Sequence, residues 1–445
     1  MAPSAPASPD DAKRLRRYQI RTFALTWASY AGFYLTRKPI GVVKARLQDE
    51  LGMTTAALGQ LDTAYLAAYA AGQFINGTLG DRFGSRKMLT LGMLGTAACA
   101  ALFGANSAAL ALIVIWAANG YFQSSGWPNN VKAMTPWFSS HGRGAIMGLW
   151  CTNYQVGGIV GTALAAFLIG AYGWRSAFFT PAVIVAGIGV TLFLFLRNHP
   201  RDVGLISPAD AEAAEAPAQA RAEGHPEASA APPETEERMS FADALRLPGI
   251  LNLGGAYFCL KLIRYTLLFW LPFYLNKRLG YAEDTAGYLS TTFEIGGIAG
   301  AIIIGFLSDR FAAGRRVLFA APMVFGICLA LGLFQLVGSW GMAFNAGAMA
   351  LVGFMLFGPD SLLSGAAAQD LGGSRAAGSA AGVINGMGSV GAALQGLVIP
   401  FIVEDLGFGW QGAFYFLMVL AVVATGVLFP LFLKDLQKKS LPEAS

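Results

Sequence analysis

The chain has 445 residues, 55% of them hydrophobic and only 13% charged, with a net charge of +5. Soluble globular chains carry about 25% charged residues, so this composition excludes an ordinary soluble enzyme and also a soluble domain on a single anchor. The positive balance does not imply nucleic acid, because the basic residues mostly flank apolar segments, as orientation signals do.

In chain order, residues 1–18 are polar, rich in Pro and Ala, and end in a basic cluster; they read as a disordered cytoplasmic tail and do not resemble a signal peptide. Twelve apolar segments follow, near 20–42, 57–80, 88–106, 109–131, 145–170, 175–196, 249–275, 286–307, 317–336, 340–364, 377–402 and 409–433. Each approaches the roughly 20 residues that cross a hydrocarbon core. The expected fold is therefore an all-α membrane protein of twelve transmembrane helices. Its six-helix halves cover 19–197 and 248–434, and 435–445 form a cytoplasmic tail. Residues 198–247 between the halves are rich in Ala, Pro and Glu and read as a cytoplasmic linker that cannot bury enough apolar surface to order itself.

Orientation follows from Lys and Arg. The N-tail, Arg82, Arg86, Lys87, Arg143, Arg310, Arg315, Arg316, Lys434, Lys438 and Lys439 fall on one side, and Lys44, Arg46, Arg175, Lys277 and Arg278 on the other. Both termini and the linker are expected to be cytoplasmic. The four cysteines lie in apolar stretches without CxxC spacing, and the three histidines lie outside the spans, so neither a metal site, a disulfide framework nor a cofactor is expected.

Two arginines stand inside spans: Arg37 in the first and Arg264 in the seventh. An arginine keeps its charge in a protein, and placing one at bilayer depth costs about 2.5–3.5 kcal/mol on insertion scales. Two such costs point to an anion held by both. The bland alternative is pairing with a buried carboxylate, for which Glu294 and Asp360 are candidates. Lys261 shares a helix face with Arg264. Lys38 follows Arg37 but points about 100° away around the helix.

Polar stripes accompany these cations. Asp62, Tyr65, Tyr69, Gln73 and Asn76 share one face of the second span, and Asn119, Gln123, Trp127 and Asn130 one face of the fourth. A lipid-facing helix would not carry such a face, so these residues line a cavity or hydrogen-bond between helices. Asp62 near Arg37 and Glu294 near Arg264 are expected as switching partners for which a substrate anion competes. Glycine-rich runs at 156–167 and 384–396 are expected to bring helices close where the halves meet.

The halves repeat. Gly77-x-x-x-Asp81-Arg82-x-Gly84-x-Arg86-Lys87 recurs as Gly305-x-x-x-Asp309-Arg310 followed by Arg315 and Arg316. The first pattern resembles the signature loop of the major facilitator superfamily at every position. Asp81, Arg82, Arg86, Asp309 and Arg310 then form a conformational latch in which Asp81 pairs with Arg82, Arg86 or a helix N-terminus. The strings FYLTRKP, which holds Tyr34, GWPNNVKAMTPWF and LIRYTLLFWLPFYL are similar to those of the organophosphate:phosphate antiporters, and RKPIGVVK and LGQLDTAYLAAYAAGQFINGTLGDR to the eukaryotic sugar-phosphate exchangers. The resemblance implies that Arg37 and Arg264 bind phosphate. It also implies exchange of a phosphate ester such as glycerol-3-phosphate for inorganic phosphate by alternating access, with no covalent chemistry. Gln73 and Tyr154 depart from the bacterial antiporters, which carry lysine and histidine there, and Arg264 departs from the eukaryotic exchangers, which keep only the lysine matching Lys261.

Chemistry agrees with that implication. A guanidinium fork fits two phosphate oxygens, a phosphate monoester carries −1.5 to −2 charge, and two bare arginines in an empty site would repel, which favours obligatory exchange. A membrane sensor of hexose phosphate and a proton-coupled symporter of another organic anion, using Asp62, Glu294 or Asp360, remain the alternatives. Monomeric assembly in an inner or plasma membrane is the expected setting.

Overall fold

A computed structural model describes residues 9–138, 143–211, 245–311, 315–363 and 367–437. The helices are α1 (Pro9–Arg37), α2 (Pro39–Leu51), α3 (Thr55–Phe83), α4 (Ser85–Ala105), α5 (Ala109–Gln123), α6 (Gly126–Met134), α7 (Arg143–Trp150), α8 (Thr152–Tyr172), α9 (Ser176–Phe195), α10 (Ile250–Lys277), α11 (Glu283–Phe311), α12 (Val317–Val337), α13 (Met342–Ser361), α14 (Ala367–Pro400) and α15 (Gly409–Gln437). Each of the twelve expected segments is occupied by one helix or by two consecutive helices. Among the described residues, nine helices are long and apolar enough on their own to cross a membrane.

Two ends differ from expectation. Helix α1 begins at Pro9, inside the stretch read as a disordered tail. Pro9 has a φ preset for a first helical position, and Asp10 and Asp11 sit at the positive end of the helix dipole. The start of the expected linker is also ordered. His199 caps a short turn at Pro200–Val203, Ser207 donates to the Pro136 carbonyl at 2.8 Å, and Arg14 donates to the Val203 carbonyl at 3.2 Å. Backbone groups satisfied in this way hold a segment that composition alone reads as loose. Residues 212–244 of that linker and the tail beyond Gln437 lie outside the described residues.

The chain divides into two compact units. One contains Met1–Pro39 and Ala67–Thr235, the other Ile40–Leu66 and Glu236–Ser445. In the first unit, α8 lies against α1 through glycines. A Cβ on Gly157 would meet the Ala31 backbone at 2.8 Å, and one on Gly161 the Tyr34 carbonyl at 2.8 Å. In the second unit the equivalent pair is α14 on α10, where a Cβ on Gly391 would meet the Phe258 carbonyl at 2.2 Å. The run at 156–167 joins helices of the first unit, whereas that at 384–396 joins α14 to α10 and, through Gly396, to Gly59 of α3 in the other half of the sequence. Helices α11 and α13 are equally close, with Gly296 against the Ala350 carbonyl and Gly353 against the Phe293 carbonyl, each at 1.9 Å for an added Cβ. Small residues permit such backbone approach where dispersion, rather than water exclusion, drives helix association.

The first span breaks at Lys38 because Pro39 disfavours helical backbone before it and starts a new helix well. Helix α2 then packs in the second unit, with Gly41 tight on the Leu268 carbonyl at 3.1 Å for an added Cβ. Lys44 and Asp62 are both fully buried and form an ion pair at 2.6 Å. Gln395 donates to the same Asp62 oxygen at 3.2 Å, and the Trp270 indole donates to Gln395 at 2.7 Å. The Lys44 ammonium also lies 3.6 Å from the Trp270 ring centroid. Removing one partner of a buried pair strands the other, at a cost of about 3–5 kcal/mol. Asp62→Asn should therefore lower the unfolding temperature of the detergent-solubilised protein by several degrees, whereas Lys44→Met combined with Asp62→Leu should recover most of that loss. A double variant as unstable as the single one would show that the pair is not the source of the effect.

Candidate anion-binding site

Arg37 is the last residue of α1 and is 5% exposed. Its Nε donates to Gln123 Oε1 at 3.0 Å. The Gln123 amide in turn donates to Thr36 Oγ1 and Asn119 Oδ1, both at 3.2 Å. The guanidinium carbon stands 4.5 Å from the Tyr34 ring centroid and 5.0 Å from that of Tyr69. Gln123 is aimed by the two hydrogen bonds its amide nitrogen donates, so the guanidinium is held by a preset acceptor and two ring faces.

Around it, Tyr34 and Tyr154 stand 6.4 Å apart, and Tyr30 contacts both Trp127 and Trp150 at 5.5 and 5.6 Å. Trp127 remains 37% exposed. Lys38, 5% exposed, occupies the turn after Arg37. Tyr69 and Gln73 are half-buried. Three stripe residues serve helix packing: Asn76 donates to Ser124 at 2.7 Å, Asn130 accepts from Ser29 at 2.9 Å, and Asn119 accepts from Gln123.

The stripe expected on the second span is divided. Asp62 is spent on Lys44 within the second unit, which corrects the expectation that it is a switching partner. A fully desolvated carboxylate is stable only next to a cation, and Lys44, expected in an outer loop, is carried inward because RKPIGVVKARLQDEL holds no turn residue after Gly41. Tyr65, one turn further, is 1% exposed.

In the second unit, α10 presents Tyr257, Lys261 and Arg264 at helical spacing, and α13 presents Phe357 and Asp360. Asp360 Oδ1 lies 3.0 Å from Lys261 Nζ, and Oδ2 pairs with Arg264. Tyr257 also hydrogen-bonds this carboxylate. Phe357 lies beneath the guanidinium, 4.2 Å from ring centroid to Cζ. Glu294 is 8% exposed on α11, and Asp360 is a carboxylate set on Arg264. Pro359 and the close α11–α13 packing fix which α13 residue reaches α10, and a helical pattern alone could not choose between the two.

At the signature loop, Asp81 pairs with Lys132 of α6 and not with Arg82 or Arg86. Gly80 lets α3 approach Asn129, whose Oδ1 would be 2.0 Å from an added Cβ, and that approach brings Lys132 within reach. Arg82 is exposed over Phe83. Arg86 has its backbone N–H bound by Asn198 at 2.8 Å and its guanidinium over Phe193. In the repeat, Arg310 lies over Phe311, and the side chain of Asp309 lies outside the described residues.

The Major Facilitator Superfamily profile matches residues 23–396. The chain belongs to this superfamily; it is an integral membrane transporter and not an enzyme. It is 34% identical to "Putative glycerol-3-phosphate transporter 3" of Arabidopsis thaliana, over 92% of this chain and 86% of the relative. It is 32% identical to "Glucose-6-phosphate exchanger SLC37A2" of Danio rerio, over 94% and 93%. A solved structure of a bacterial homolog of the human lysosomal transporter Spinster, inward-facing and unoccupied, matches with a TM-score of 0.71 at 15% identity, covering 98% of this chain and 100% of that one.

Gln123→Leu removes the acceptor of a buried, charged N–H, a loss of about 1–3 kcal/mol. Thermal unfolding should report that destabilisation, and Gln123→Glu, which keeps an acceptor, should show less. Equal losses in both variants would mean that packing, not the hydrogen bond, matters at this position.

Proposed function

We propose that this transporter exchanges an organic phosphate ester, glycerol-3-phosphate or a sugar phosphate, for inorganic phosphate by alternating access. The observation that carries the reading is the pre-aimed, buried guanidinium of Arg37. Its fixed geometry lowers the ordering cost of binding an anion, and burial strengthens each charge-assisted hydrogen bond it makes. Arg264 and Lys261 are the anion-binding groups of the other unit. Tyr34, Lys38, Tyr65, Tyr69, Gln73, Gln123, Trp127, Tyr154 and Glu294 are candidates for positioning the phosphate or the organic part of the ester. Asp81, Arg82, Arg86, Asp309 and Arg310 are proposed as the latch. The names of the relatives support the substrate class. The distribution of Lys and Arg supports cytoplasmic termini in an inner or plasma membrane, and a monomer is the working unit.

The test is phosphate counterflow in proteoliposomes loaded with unlabelled phosphate, with glycerol-3-phosphate and glucose-6-phosphate as competitors. Arg37→Ala and Arg264→Ala should each reduce exchange by about two orders of magnitude or more, because truncating one partner of a desolvated charge contact costs about 2–5 kcal/mol. Arg37→Lys should fall between wild type and Ala, since it keeps the charge and loses the fork. Uptake that ignores internal phosphate, or that survives Arg37→Ala, would overturn the reading.

A further inference from the structure

Asp360 sits where a ligand anion would sit. One oxygen lies on the Lys261 ammonium and the other on the Arg264 guanidinium, so a carboxylate already spans both cations. The carboxylate side chain is 12% exposed, and those of Lys261 and Arg264 are 16% and 15% exposed. The group is thus close to the accessible face of the unit without being fully solvated. Two cations and one carboxylate sum to one positive charge. This part of the molecule therefore does not present the bare like charges expected from the sequence.

We propose that Asp360 is a resident competitor that sets a charge threshold for the transported anion. The proposal rests on the phosphate reading above and refines its selectivity. A tethered carboxylate acts at an effective concentration on the order of millimolar or more, far above most free solutes. A free monocarboxylate brings the same single charge and the same two oxygens, so it gains nothing by displacing Asp360. A phosphate monoester brings three oxygens and −1.5 to −2 charge. It gains Coulomb energy and an additional charge-assisted hydrogen bond from the same two cations. Discrimination is then a difference of affinities built by an internal rival, in the manner of selectivity against the wrong partner. Phosphate affinity is held down at the same time.

The test uses the full chain in detergent or nanodiscs and measures displacement of labelled inorganic phosphate by lactate, a monoanion, and by sulfate, a dianion. Wild type should bind phosphate, yield it to sulfate and ignore a hundredfold excess of lactate. Asp360→Asn should bind phosphate about tenfold more tightly and should now yield it to lactate. Asp360→Glu should restore the wild-type pattern. Because the Asn variant strands two cations, its stability is read as well. Phosphate should raise its unfolding temperature more than that of wild type, and lactate should raise it only in the variant. An Asn variant with unchanged phosphate affinity and continued indifference to lactate, in binding and in melting, overturns the proposal and leaves the transport reading intact. Wild type that binds no phosphate overturns both.

Discussion

A charge inside a low-dielectric helical bundle has to be compensated where it stands, and this requirement organises the rest of the molecule. Born-type costs are several kcal/mol per ion even after relaxation. Three solutions appear. Lys44 and Asp62 cancel each other in a fully buried pair. Lys261 and Arg264 share Asp360. Arg37 meets an amide oxygen and two phenol rings, which lower the cost of its burial. The first solution is structural, and the other two surround the cations proposed to bind the substrate anion.

Close helix packing makes these placements definite. Where backbone touches backbone, as at Gly296, Gly353 and Gly391, a helix cannot slide or rotate by a residue without a collision. A carboxylate on α13 therefore meets the two cations of α10 at one register only. The glycines are not chemistry themselves; they are the tolerance to which the chemistry is built.

Much of this was legible in the sequence. Apolar length gave the helices, and the Gly77–Lys87 repeat located equivalent positions in the two parts of the chain. The rule that intramembrane arginines are functional singled out Arg37 and Arg264. What the sequence could not give was pairing. Asp62, Glu294 and Asp360 were all visible as carboxylates in apolar surroundings, but which cation each meets depends on helix rotation and on the break at Lys38. Lys44 reads as a loop residue in the sequence because composition near a span end looks the same whether a helix continues or stops, and here the helix continues to Leu51. Gln395 and Trp270, which complete the Asp62 network, carry no pattern that sets them apart from packing residues. Lys132 was equally silent, since its partner Asp81 lies 51 residues away in sequence.

The contact between Gly59 and Gly396 has a consequence for leakage. A Cβ on Gly59 would stand 1.9 Å from the Gly396 carbonyl, and Thr63 beside it donates to the Ala393 carbonyl at 3.0 Å. Backbones this close leave no width for a water molecule, so no file of waters can thread between these two helices. One turn along the same helix, Asp62 is held in its fully buried pair with Lys44, so no uncompensated charge stands there to draw water in. Together they act as an insulator, a backbone seal backed by a charge-neutral pair. A carrier that moves a few anions per cycle across an energised membrane depends on such insulation, because a leak of protons through the same protein would dissipate the gradient far faster than substrate turnover could use it.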